Sequence, residues 1–279
     1  MAREVPVPVL TYHGVNIDGN DYDGNDHVAL REDLHLLSRL GWRVAPLPTL
    51  VDQVLAGQWP AAKTVALTFD DGSDFDAVDL PHPTAGLQRS MLGILEDFVR
   101  DVPGAQPGLH ATAFVIASPA ALPVLDRTCL IGQGWWNDTW WPHAVGSGLM
   151  GIANHSWDHA HPTLPEVRQR DQHKGDFHRI DTHADAEAQV RSARDAIRAR
   201  APNAAENLFA YPYGHASAYL AETYFPRGLT THDPPALAAF TITGESWTPN
   251  TDRWQIPRWV CGLHWRSPDE LAKRLASLA

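Results

Sequence analysis

Lys63-Thr-Val-Ala-Leu-Thr-Phe-Asp-Asp-Gly72 is the stretch from which the rest of the chain can be read. Lys63 to Phe69 is β-branched and apolar, the composition of a strand buried on both faces. It runs into two adjacent carboxylates and a glycine. Neighbouring residues on a strand point to opposite sides, but at its end the backbone can turn and aim Asp70 and Asp71 into one cleft. Two like charges that close repel, and one pKa rises unless a cation lies between them. A metal removes the conflict and divides the roles: one Asp is a ligand, the other a free base. Taken alone, the same residues equally describe a strand end followed by an Asp-Gly turn.

Outward from this stretch, strands and helices alternate. Val5 to Val15 reads as a strand ending at Tyr12-His13-Gly14, and Asp18 to Asp26 as a Gly/Asn/Asp loop. Leu30, Leu34, Leu37 and Leu40 mark one helical face over Val28–Leu40, closed by Gly41. A short strand is expected over Trp42–Ala45, a short helix over Thr49–Ala56 and a longer helix over Thr84–Val102. Leu109–Ile116 is the next buried strand. Ser118–Leu149 reads as irregular and carries Trp135, Trp136, Trp140 and Trp141. Gly151–Asn154 is a short strand into His155, 160–183 a long ordered loop, and Ala184–Arg200 a helix. Asn207–Gly214 is a strand ending in a turn, followed by short strands near Leu229–Thr231, Ala238–Thr243 and Gln255–Val260. Ser267-Pro-Asp-Glu270 is a capping box with proline in the first helical position, opening a last helix that buries Leu271, Leu275 and Leu278.

This order predicts an α/β fold with a mostly parallel sheet. Polar clusters fall at strand C-terminal ends: Tyr12-His13, Asp70-Asp71, Asn154-His155 and Tyr211-Pro-Tyr213. Barrel-type α/β folds place their sites there, so a distorted (β/α)7-8 barrel forming one domain over 1–279 is expected over an open sheet.

Composition narrows the function classes. The chain has 279 residues, 44% hydrophobic and 20% charged, with a net charge of -11. That is globular, and it lacks the basic runs a nucleic-acid partner would need. No apolar run approaches a membrane span, so no membrane insertion is expected. The N-terminal stretch is too short and too Pro-broken for a signal segment, which points to cytoplasmic action if the sequence is whole and leaves export open if it is trimmed. Cys129 and Cys261 lack metal spacing, and two buried thiols are expected rather than a disulfide framework. No protein partner can be read from the sequence.

His155-Ser-Trp-Asp-His159 places two imidazoles four residues apart. On a helical turn, positions i and i+4 share a face, so both nitrogens can reach one ion. His161 lies off that face. Two His and one carboxylate with an open position make a catalytic zinc pattern, with Asp71 as the carboxylate and Asp70 left as the base. Among 15 His, such spacing also arises by chance.

Thr68-Phe-Asp-Asp-Gly72, His155-Ser-x-x-His159 and Tyr211-Pro-Tyr-Gly214, in this order, resemble the polysaccharide deacetylases of carbohydrate esterase family four. The resemblance spans most of the chain and implies a distorted (β/α) barrel. It also implies one divalent metal, zinc first with cobalt or nickel as alternatives, on Asp71, His155 and His159, with Asp70 as general base. The N–H of Tyr213 would help hold an oxyanion. Two departures stand out. Phe209 occupies the place of the arginine that normally orients the base, and Arg258 is the candidate replacement. The general acid would come from a Leu-x-His-type motif: Leu263-His264 is near the usual place, but Leu10-Thr-Tyr-His13 resembles the circularly permuted branch that includes poly-N-acetylglucosamine deacetylases, and His13 is preferred. The implied reaction is N-deacetylation of an N-acetylated sugar or polysaccharide. O-acetyl ester hydrolysis, hydrolysis of another non-peptide amide and a non-catalytic glycan-binding barrel remain as alternatives. The Trp135–Trp141 cluster is either a sugar-stacking wall or a hydrophobic plug. Trp136, Tyr213 and Trp247 are candidate substrate contacts.

Overall fold

Seven strands form a continuous parallel ring in a computed structural model that describes residues 4–202 and 205–278. In chain order the strands are β1 (Val9–His13), β2 (Arg43–Val44), β3 (Thr64–Asp71), β4 (Leu80–His82), β5 (Gly86–Gln88), β6 (Ala111–Val115), β7 (Met150–Asn154), β8 (Ala205–Ala210), β9 (Ala238–Phe240) and β10 (Trp259–Val260). The main sheet runs β10-β1-β3-β6-β7-β8-β9, with β2 on the edge of β3. The segment just before β10 closes the circuit. Ile256 bridges Phe240 in parallel, and its N–H donates to the Ala239 carbonyl at 2.9 Å. The expected distorted barrel is therefore the fold, with the first and last parts of the chain adjacent in it.

Alternation along each strand separates two environments. On β3, Ala66 faces an inner apolar plug with Val9, Phe114, Ala153, Phe240 and Ile256. Val65, Leu67 and Phe69 face the outer layer, against the helices Asp26–Arg39 and Met91–Asp101. Thr68 and Asp70 continue the inward row above the plug. Thr68 and Asp70 thus stand above the plug, at the C-terminal ends of the strands, while Thr112 and Glu206 form a separate inward polar pair at the opposite end.

Several local expectations change. The helix predicted over Thr84–Val102 exists only as Met91–Asp101, capped by the Ser90 hydroxyl on the Gly93 N–H. An antiparallel β4–β5 hairpin takes the preceding residues, Gly86 adopts a φ of +73°, and Leu87 is 71% exposed instead of lying on a helical face. The stretch expected to be irregular contains helices Leu122–Cys129 and Trp141–Gly146, each with proline in its first turn. Leu229–Thr231 is not a strand: the Thr230 and Thr231 hydroxyls bond the Arg227 and Gly228 carbonyls at the end of a short helix. Helix 183–200 carries a π turn over Glu187–Arg191. Cys261 is buried, but Cys129 is exposed. Among the described residues no helix is long and apolar enough to cross a membrane.

Candidate active site

The C-terminal strand ends surround a cavity of about 250 Å³ lined by His13, Asp70, Asp71, His155, His159 and Tyr213, among others. Asp70, which lines it, is paired from behind with Arg258. Arg258 is fully buried, and its Nη1 and Nη2 donate to Asp70 Oδ1 and Oδ2 at 2.7 and 2.8 Å. The guanidinium also donates to the Thr241 carbonyl and Thr68 Oγ1, and it lies over the Phe114 ring with 5.2 Å to the centroid. Two fork bonds fix the plane of a carboxylate as a single charge contact cannot. Burial alone would raise the Asp70 carboxyl, but the charge of Arg258, then of His155, holds it low at about 2. Asp70 is therefore ionised throughout the neutral range. Two of its roughly four lone-pair positions are taken by Arg258. Phe209 explains the displacement of the arginine: it packs outward against Phe177, Tyr211 and Phe225.

Asp71 departs from its neighbour because the chain turns at it. Asp71 and Gly72 have φ of 76° and 80°, and a Cβ on Gly72 would lie 2.6 Å from Val115 Cγ1. Only glycine tolerates both demands. The Asp71 carbonyl accepts from the Ile116 N–H and from Trp136 Nε1. Its Oδ1 then lies 3.6 Å from His155 Nε2 and 3.7 Å from His159 Nε2.

The two His do not reach it from a helix, as the spacing predicted. Residues 155–160 form a turn in which Ser156, His159 and Ala160 have φ of 73°, 62° and 44°. Side chains hold it: Asn154 Oδ1 accepts from the Ser156 N–H, Ser156 Oγ from the His159 N–H, and Asp158 Oδ1 from the Ala160 N–H. Of the six non-glycine residues described with positive φ, Asp71, Ser156, His159 and Tyr213 lie in the three motifs. Backbone strain is thus concentrated where the site is built.

These donors fit a divalent metal. Bonds of about 2.0–2.1 Å in a tetrahedron separate ligand atoms by roughly 3.4 Å, close to the separations between Asp71 and each His. His155 Nδ1 is 2.9 Å from the Ala210 carbonyl, an acceptor only, so Nδ1 carries the proton and Nε2 turns its lone pair to the space it shares with Asp71 and His159. Burial, followed by the neighbouring imidazoles, pushes His159 well below the usual imidazole range and keeps it neutral. The three residues form one of two clusters among the described residues that could hold an ion.

His13 reaches the same cavity from β1, where it is the register partner of Asp70. Its N–H donates to Asp26 Oδ2 at 2.7 Å, and the same oxygen lies 4.0 Å from His13 Nδ1. Asp26 is a partner of His13 that the sequence did not single out. It looks like an ordinary first-turn acid of a helix capped by Asn25. Its burial, which raises its carboxyl against the opposing pull of His13, is a tertiary property. His264 is not brought to the cavity: its Nδ1 accepts from the Val260 N–H, and its ring lies against Gly244. Tyr213 is held in a turn at φ 59°, with its ring 4.4 Å from that of His159.

The tryptophans divide. Trp136 lines the cavity, whereas Trp140 and Trp141 pack into the outer core with Met150 and Trp135 edges onto Phe75. Trp247 was expected near the substrate but lies near the N-terminal end of β1, packed on Trp59 and bridged to Val7. It is a core residue because its own N–H and carbonyl pair with Val7. His161 and Cys129 line the rim, with Sγ 3.7 Å from His161 Nε2.

No curated protein matches the chain. Residues 58–231, more than half of it, match the family model described as polysaccharide deacetylase. Among solved structures, the Streptococcus pyogenes deacetylase PplD, in complex with acetate, is similar with a TM-score of 0.63 at 15% identity, over 98% of this chain and 99% of that one. IcaB from Ammonifex degensii is similar with a TM-score of 0.63 at 18% identity, over 98% and 96%. The BpsB deacetylase domain from Bordetella bronchiseptica gives 0.61 at 14%, over 94% and 97%. These are likenesses of fold, and coverage of nearly all of IcaB and of this chain brings the N-terminal strand into the match.

Proposed function

The chain belongs to the polysaccharide deacetylase family, and on that premise we propose that it is a metal-dependent hydrolase removing the N-acetyl group of an N-acetylated sugar or polysaccharide. The observation that carries this reading is the division of labour in one cavity: a carboxylate locked to an arginine stands beside an Asp-His-His cluster, with a His on the adjacent strand. A non-catalytic glycan-binding barrel has no use for that combination.

Asp71, His155 and His159 are the ligands. A divalent metal held there, zinc foremost, would supply polarisation of the amide carbonyl and acidification of a water. Asp70 accepts the proton of the attacking water on a lone pair left free by Arg258. A carboxyl held at about 2 is a weak base towards bulk water, so its contribution depends on its fixed plane and on an acidified water. Arg258 acts through Asp70 as a positioning residue. The Tyr213 N–H donates to the oxyanion as the carbonyl carbon becomes tetrahedral. His13 protonates the amine as the C–N bond breaks, with Asp26 beside it. Base and acid must be separate groups, because an unprotonated amine leaves poorly. Trp136 and Tyr213 offer the apolar faces for a sugar ring.

Acetate release tests the proposal, measured across N-acetyl and O-acetyl glycans with and without a chelator. Chelator-sensitive release from N-acetyl substrates is expected. Release from O-acetyl substrates alone would move the assignment to an esterase, and no release from any acetylated glycan by metal-loaded protein would favour the binding module.

A further inference from the structure

A second cluster of metal-ligating side chains stands outside the cavity. Asp176, His178 and His215 each direct one ligand atom to a common space, with all three atoms within 4.8 Å of one another. The His178 and His215 rings stack at 4.5 Å with an interplanar angle of 15°, and His215 Nδ1 lies 3.7 Å from Asp176 Oδ1. We infer that these residues form a second divalent-metal site, of the zinc class, joining the 175–180 segment to the turn that bears Tyr213.

In the stacked arrangement the in-plane lone pairs of the two imidazoles run side by side, so ion binding requires the His215 ring to turn about its Cβ–Cγ bond, which it is free to do because its Nδ1 has no hydrogen-bond partner. His178 Nδ1 is 3.1 Å from the Ala216 carbonyl, so it carries the proton and leaves Nε2 with its lone pair. Asp176 Oδ1 accepts from the His178 N–H, which fixes the carboxylate at the start of a short turn. His215 Nδ1 is buried and has no hydrogen-bond partner. An orphaned buried ring nitrogen facing a carboxylate and a second imidazole is what an ion would satisfy. Two neutral imidazoles and one carboxylate suit zinc, cobalt or nickel rather than calcium or magnesium, which prefer oxygen alone.

Contact with the catalytic cavity runs through Tyr213. The His215 ring lies 5.4 Å from the Tyr213 ring, which is itself 4.4 Å from His159. The Gly175 N–H donates to the Ala160 carbonyl and the Ser217 hydroxyl to that of Ile180, so the 175–180 segment already touches both site turns. An ion on Asp176, His178 and His215 would clamp that segment to the Tyr213 turn.

The test is zinc stoichiometry on the full chain, which is independent of turnover. Chelator-treated protein is dialysed against micromolar zinc and its metal content measured. Wild type should take up two equivalents, His178→Ala and His215→Ala one each, and His155→Ala one. The His155→Ala, His178→Ala double variant should take up none. Zinc should raise the melting temperature of His155→Ala but not of the double variant. Wild type and His178→Ala saturating at the same stoichiometry would overturn the site, whereas wild type at one equivalent with His178→Ala at none would count against the catalytic cluster instead. His178 and His215 lie at the surface, so their substitution leaves the core intact and the comparison with wild type stands even if His155→Ala does not fold.

Discussion

Truncating Arg258 isolates the ion pair behind the site. In the wild type, Asp70 is held at about 2 against a usual 3.8. Its folded-state pKa is depressed, so its stabilisation is fully present above the unfolded value and is lost as pH falls from about 4 towards 2. That difference corresponds to about 2.5 kcal/mol at neutral pH. Arg258→Met removes the guanidinium bonded to Asp70 and leaves burial opposed by the nearby imidazoles alone, so the carboxyl rises. Breaking one side of a buried pair costs about 3–5 kcal/mol, and here both partners are nearly inaccessible, with side-chain exposures of 0% and 5%. The variant's deficit should be largest near pH 7 and shrink as pH falls towards 4, because protonation of Asp70 removes the uncompensated charge while wild type keeps its ion pair there. Urea unfolding of metal-free protein at pH 7 and pH 4.5 measures this. In an Asp70→Asn background, Arg258→Met should cost at least about 2 kcal/mol less, since no carboxylate is then left buried. Equal cost in both backgrounds, or a deficit independent of pH, would refute the reasoning.

Asp70→Asn should abolish acetate release while retaining the metal on Asp71, His155 and His159; elemental analysis beside the rate checks both, and retained turnover would remove Asp70 as the base. His13→Ala should lower the rate by about 10²–10⁴-fold, the usual worth of a general acid, whereas His264→Ala should stay within a few-fold; rates measured side by side decide between them. Glu206, buried against Thr112, has its carboxyl raised by burial to about 8. The stability this group contributes is full below the unfolded value and is lost as pH rises through about 8, at about 1.4 kcal/mol per pH unit. Glu206→Gln should remove that slope, and identical pH–stability slopes between pH 5 and 8 would exclude it. Trp247→Ala should cost about 3–5 kcal/mol by leaving a core cavity with KM unchanged; a raised KM with unchanged stability would return Trp247 to the substrate site.

Periodic burial explains how much of this fold was legible. The buried run Thr64–Phe69 and the leucine stripe of helix Asp26–Arg39 sit where local pattern alone puts them. Pattern failed at 84–90, where apolar spacing resembled a helix but Pro83 and Gly86 favour the hairpin. It also failed on the His pair. Four-residue spacing serves a tight turn as well as a helix, and it was the Asn154, Ser156 and Asp158 side-chain bonds that decided between them. The family match covers 58–231 and takes in all three motifs, but His13 and Arg258 lie beyond both its ends.

By itself the sequence determined the alternation of strands and helices and the chemistry stored at the strand ends, because both depend on residues close together in the chain. Tertiary structure decided the partners. Closure of the barrel through Ile256 brings Arg258 onto Asp70 across 188 residues of chain and lays His13 beside it on β1. It also sends Phe209 and Trp247 away from the cavity. No local rule specifies such pairings, since a carboxylate's partner is set by which strands meet, and strand order is a property of the closed ring.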